Sequence, residues 1–361
     1  SASGRTVAGV SAGARQGVGT FFFLGHERTK GRTMAEEGRR KKIVITAVKL
    51  CITTGIILFI GHRLGWADIR ETVVEARPAW LVGALGIFML SGVLGVVQWR
   101  ILLENRGIPL SFRRAFSLYF IGLFFMNFIL GTIAGDAVKI AYIRSSDKKG
   151  KEGFAATFLD RFAGLWAMAG FAVVGGVVLF ARQGLSGRGI IVVIAALCIA
   201  FAAFLGVLFF LLSERLQRIF FRLLRAPAIP HRERIESIVS GVLIQAHDRH
   251  IVGRVALLST VIQFLRVSVH ILCAGALGLL SGHSILYFFI FIPIIAIIMI
   301  MPLPFGVKES IEGTLFTLCG FEPEAAVVMG FLASIVGIIA SLFGGVLFVL
   351  RGAGRKGEKT V

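Results

Sequence analysis

Runs of eighteen or more apolar residues recur along this chain, and they constrain its fold more than any other feature. A helix of about 20 residues crosses a hydrocarbon core of about 30 Å. Inside lipid each backbone N–H and C=O needs a partner within its own segment, so runs of this length read as spanning helices. With 56% hydrophobic residues and a mean hydropathy of +0.84, the 361-residue chain is expected to be an all-α polytopic membrane protein. The longest polar intervals, 1–42 and 213–250, are too small or too irregular to build a catalytic core of their own.

The net charge of +19 does not point to nucleic acid, because the Lys and Arg residues gather in loops beside the apolar runs. That is the positive-inside pattern, and it makes anionic lipid the expected partner. Cys51, Cys198, Cys273 and Cys319 are scattered through apolar segments without metal or disulfide spacing, so no metal and no cofactor is expected. Residues 1–42 read as a basic cytoplasmic tail without a folded unit of its own, with Met34 a candidate start, and residues 351–361 as a second basic cytoplasmic tail. Between them, 43–350 reads as one membrane domain. Full spans are expected at 43–60, 79–103, 154–181, 190–212, 251–280 and 325–350, with an outer turn at 61–77 and both termini in the cytoplasm.

Two apolar segments do not fit as simple spans. In the first, Gly131-Thr-Ile-Ala-Gly-Asp136 interrupts the run 115–130, and 137–144 is too short to cross a bilayer at about 1.5 Å per helical residue. In the second, Met301-Pro-Leu-Pro-Phe-Gly-Val-Lys-Glu-Ser-Ile-Glu312 places two prolines, a glycine and three charges in an apolar run that starts at Ser284. Each Pro removes a donor and disfavours helix before it, so the helix should break and restart near Gly306. Broken backbone at membrane depth survives only inside protein or against a water-filled cavity. Topology closes when both segments are re-entrant hairpins of opposite orientation, as in an inverted repeat with a midplane site.

The site is expected at these breaks. Half-helix N-termini at Gly135 and Gly306 would aim N–H groups inward, a good setting for phosphate. Asp136 and Lys139 are three apart and Lys308 and Glu312 four apart, so each pair can meet on one helical face. With Arg161 nearby, Lys139 and Lys308 form a cradle for a phosphate, while Asp136, Glu309 and Glu312 set local charge. Two readings stay open: these charges bind a headgroup, or they neutralise one another and hold the broken helices. Asp160 and Arg161 point about 100° apart on one helix and should pair with other helices. Gln263, Arg266 and His270 form a polar face on an apolar span, a functional candidate by default. Arg215, Arg218, Arg222 and Arg225 recur at helical spacing, as a solvated basic face or one that gathers anionic headgroups beside Leu216, Phe220 and Leu223.

These motifs give the chain a family likeness. Gly131-Thr-Ile-Ala-Gly-Asp-Ala-Val-Lys139 leading to Arg144, then Leu159-Asp-Arg161, then Leu303-Pro-Phe-Gly-Val-Lys-Glu309, resemble the flippase-like family typified by the membrane region of lysylphosphatidylglycerol synthase. The soluble aminoacyl-transferase domain of the full-length synthases has no counterpart in this sequence. The resemblance implies movement of an anionic phospholipid or polyprenyl-phosphate lipid across a bacterial or archaeal cytoplasmic membrane, with Gly131, Gly135, Asp136, Lys139, Arg144, Asp160, Arg161, Gly306, Lys308, Glu309 and Glu312 as the substrate-binding set. No catalytic constellation stands out. The alternatives are a membrane-embedded lipid or isoprenoid transferase, and a non-catalytic accessory subunit partnered with a membrane glycosyltransferase or another lipid-modifying enzyme, or acting as a homo-oligomer.

Overall fold

A computed structural model describes residues 66–130, 132–183, 201–211, 213–224, 248–281, 284–299 and 306–357, with a few single positions between them. All belong to one unit, Ile56–Val361; the unit Ser1–Gly55 lies outside the described residues. The helices are α1 (Trp66–Glu75), α2 (Pro78–Glu104), α3 (Phe112–Phe125), α4 (Thr132–Asp147) and α5 (Gly150–Gln183). They continue with α6 (Phe201–Leu211), α7 (Glu214–Leu224), α8 (Arg249–Ala276), α9 (Ser284–Ile298), α10 (Val307–Thr317) and α11 (Pro323–Gly357). No strand occurs among the described residues.

Four described helices, α2, α5, α8 and α11, are long and apolar enough to cross a bilayer. They coincide with the spans expected at 79–103, 154–181, 251–280 and 325–350. The expected span 43–60 lies outside the described residues, and of 190–212 the described continuous part is α6. The turn expected at 61–77 is largely helical, as α1. Pro78 then opens α2 at the position where its missing N–H costs nothing.

The long helices pack face to face. α2 and α8 run antiparallel, joined at one end by the Arg77 N–H donating to the Ala276 carbonyl at 2.9 Å. Their buried residues feed two apolar clusters. One gathers Trp99, Leu103, Leu118, Phe120 and Ile143; the other gathers Val267, Phe288, Phe316, Met329 and Ala333.

Each cluster carries one helical hairpin. In the first, α3 runs into a π-helical turn, Met126–Leu130, and α4 restarts at Thr132. The break therefore sits about one turn earlier than the sequence suggests, and Gly135 lies inside α4 rather than at its start. The reason is steric: a Cβ at Gly135 would meet the Gly122 carbonyl oxygen at 2.4 Å, so this glycine permits two helices to cross. α11 meets α3 as closely, since a Cβ at Gly344 would lie 1.9 Å from the Phe120 carbonyl oxygen. In the second hairpin, α9 and α10 follow the expected pattern. Gly306 precedes α10 with φ of +96°, a conformation that side chains resist, and the helix starts at Val307.

Candidate functional site

The first hairpin builds an ion network across four helices. Asp136 of α4 takes both oxygens to Arg161 of α5, at 2.9 Å from Nε and 3.0 Å from Nη2. It also accepts Lys139 Nζ at 3.0 Å, so the expected contact three residues on is present. Lys139 is 3% exposed and lies between the rings of Trp99 and Tyr119, at 5.3 and 5.1 Å from their centroids. An ammonium removed from water gains from ring faces as well as from a carboxylate. Asp160 turns the other way, as its angular offset from Arg161 requires. It accepts Gln98 Nε2 at 2.9 Å, and Gln98 Oε1 accepts the Ser259 hydroxyl at 2.9 Å. Two acids and two bases thus stand together, and Lys139 and Arg161 spend donors on Asp136.

Trp99, Tyr119, Gln98, Thr157 and Ser259 were not among the expected site residues. Trp99 is fully buried and donates from Nε1 to the Thr157 hydroxyl at 3.2 Å. Its place near the end of an apolar run looks interfacial in sequence. In the fold it is enclosed by α4 and α5, through Lys139 and Thr157.

The second hairpin builds a different arrangement. Glu309, 2% exposed, reaches back from α10 to accept the Gly306 N–H at 2.7 Å, the carboxylate half of a capping box. Its other oxygen accepts the Ser334 hydroxyl of α11, and Ser334 Oγ accepts Lys308 Nζ at 2.7 Å. Glu312 is fully buried and meets His270 Nδ1 of α8 at 2.6 Å. The expected Lys308–Glu312 contact does not form: Lys308 turns to α11 and Glu312 to α8. Glu312 Oε2 is buried without a hydrogen-bond partner among the described residues.

α8 joins the two arrangements. Ser259, Gln263, Arg266 and His270 follow at four, three and four residues, so they form one stripe, about 16 Å long at 1.5 Å per residue. The stripe lies on the packed face, flanked by buried Ile262, Val267, Val269 and Cys273, while Leu257, Val261 and Phe264 on the far side are exposed. The expected polar face is thus an interior one.

The remaining expected residues stand elsewhere or outside the described residues. Arg144 is exposed and packs over Gly150, away from Asp136. Gly131 and Arg225 lie outside the described residues. Arg215, Arg218 and Arg222 share the exposed side of α7 with Ile219 and Leu223, while Leu216 and Phe220 are half-buried, Phe220 against Phe210. Among the described residues no three His, Cys, Asp or Glu side chains converge in a way that would hold a metal ion. An open hollow of about 630 Å³, rimmed by Glu71, Glu75, Glu322 and Glu324 with Arg77, lies at the Ala276 end of α8.

The sequence profile of the lysylphosphatidylglycerol synthase transmembrane region matches residues 46–351, most of the chain. The chain belongs to that family. Both hairpins and the whole α8 stripe fall within the matched residues. A membrane protein of the UPF0104 group from Pyrococcus horikoshii is 24% identical over 327 residues, covering 82% of this chain and 95% of the relative. No solved structure matches.

Proposed function

We propose that this member of the lysylphosphatidylglycerol synthase transmembrane family moves the headgroup of an anionic phospholipid or polyprenyl-phosphate lipid across the cytoplasmic membrane, with both termini on the cytoplasmic side. The observation that carries this reading is the polar stripe on the packed face of α8, which leads from the Asp136–Lys139–Arg161 network to the His270–Glu312 pair. A charged headgroup at the bilayer centre is expensive in lipid, and a continuous polar lining offsets that cost. The acyl chains stay outside, against the apolar surfaces of the spans.

In this scheme the two hairpins are re-entrant and of opposite orientation. Asp136 holds Arg161 and Lys139 in register, and a phosphate reaching Arg161 exchanges with one of its carboxylate contacts. Glu309 keeps the restart of α10 in shape rather than meeting substrate. The outward Arg215, Arg218 and Arg222 of α7, beside Ile219 and Leu223, collect anionic headgroups, each base contributing about 1 kcal/mol near an anionic surface.

The test is reconstitution into vesicles with fluorescent phosphatidylglycerol or a labelled polyprenyl phosphate, read by quenching from outside. Accelerated transbilayer movement of either is expected. Movement no faster than in protein-free vesicles for both lipids would refute the reading.

A further inference from the structure

We infer that Arg266, assisted by the Gln263 amide one turn away, is the phosphate-binding station of the interior stripe, and that its ligand is the phosphate of a lipid headgroup. The inference rests on the translocation reading for its place on a lipid path, but it is carried by groups that the two ion arrangements leave without partners.

The other basic side chains of the packed interior, among the described residues, have partners. Lys139 has Asp136 and two aromatic faces. Arg161 holds both oxygens of Asp136. Lys308 donates to Ser334 and lies 3.9 Å from Glu309. His270 has Glu312. Arg266 makes no hydrogen bond or ion pair among the described residues, although it stands in the middle of the packed face of α8 and is half-buried there. A guanidinium at membrane depth is costly and is normally matched by an anion. Its planar fork suits the paired oxygens of a phosphate.

Gln263 gives the independent observation. It is 7% exposed, and its Oε1 is buried without a donor among the described residues. Buried amides are almost always hydrogen-bonded, so one left without a partner calls for a group from outside the described residues, a water or a ligand. Gln263 is held in place by α5, where a Cβ at Gly164 would meet its Nε2 at 2.6 Å. A charged fork for phosphate and, one turn away, an amide for a hydroxyl or amine match a phosphodiester headgroup better than a bare anion.

Retention of added phosphatidylglycerol by the purified full-length protein, read by native mass spectrometry, tests this. R266A should lower retention at least tenfold relative to wild type, R266K and Q263L less, and R100A, which removes a cation paired with Glu104 near the end of α2, should not change it. Diacylglycerol should not be retained, and millimolar inorganic phosphate should not displace the lipid. Wild-type retention by R266A would overturn the assignment, and so would displacement by inorganic phosphate, which would make the ligand a soluble anion. If R266A does not fold, wild-type retention by both R266K and Q263L overturns it instead. Because retention needs no transport, loss of binding in R266A together with no lipid movement in vesicles would remove the translocation reading and leave the site standing.

Discussion

The two hairpins solve the same problem, a broken helix in an apolar bundle, in opposite ways. The first closes its charges: Asp136 is shared by Arg161 and Lys139, and Asp160 is tied through Gln98 to Ser259. The second leaves charge open: Glu309 serves its own backbone and Ser334, and Glu312 satisfies one oxygen on His270 and buries the other without a donor among the described residues. A closed network fixes geometry, whereas a buried carboxylate oxygen without a donor carries a desolvation cost. The first hairpin is tied to its neighbours by shared charges, and the second by its own backbone and the single His270 contact.

The contrast breaks most sharply at Asp136. D136N removes the carboxylate that two cations share, one of them almost fully buried, and should cost about 3–5 kcal/mol, the usual penalty for an orphaned buried charge. Unfolding in mixed detergent micelles would show it; a wild-type midpoint would mean that the network holds nothing. G344A comes next, because its methyl group meets the Phe120 carbonyl head-on, and overpacking of this kind costs about 1–3 kcal/mol. The same midpoint measures whether α11 clamps the first hairpin. G306A probes the other break: placing a side chain at φ of +96° should cost about 1–2 kcal/mol.

The two acids of α10 then separate from each other. E309Q weakens the contact to the Gly306 N–H, and loss of a cap costs about 1 kcal/mol. E312Q retains an acceptor for His270 and removes a buried charge with one orphaned oxygen, so its cost should stay below about 1 kcal/mol. The reverse order of these two would contradict the open reading of the second hairpin.

The contacts that sequence foretold are those made within one helix or at a backbone break. Asp136 and Lys139 meet because three residues bring them to one face, and Gly306 starts a helix because the prolines before it forbid one. What sequence could not assign lies between helices. Lys308 and Glu312 have the right spacing for a pair, yet each finds a better partner across the bundle, in Ser334 and His270. Gly135 looked like a breaker because a glycine between apolar runs usually is one; its purpose is the crossing with Gly122. Trp99 and Tyr119 carried no local sign of a cation, since the cage exists only once α4 lies between them. Arg266 reads in sequence as part of a polar face, but its lack of a partner among the described residues shows only once α8 is packed against its neighbours.

The central claim is that the polar face of α8 lines a path open to water and headgroups while the opposite face meets lipid. Single cysteines at Gln263, Arg266, Val261 and Phe264, in a chain whose native cysteines are replaced by serine or alanine, test it with a charged, membrane-impermeant thiol reagent on the reconstituted protein. The account predicts modification at 263 and 266 and protection at 261 and 264. Equal protection at all four positions, or reaction confined to 261 and 264, would contradict it.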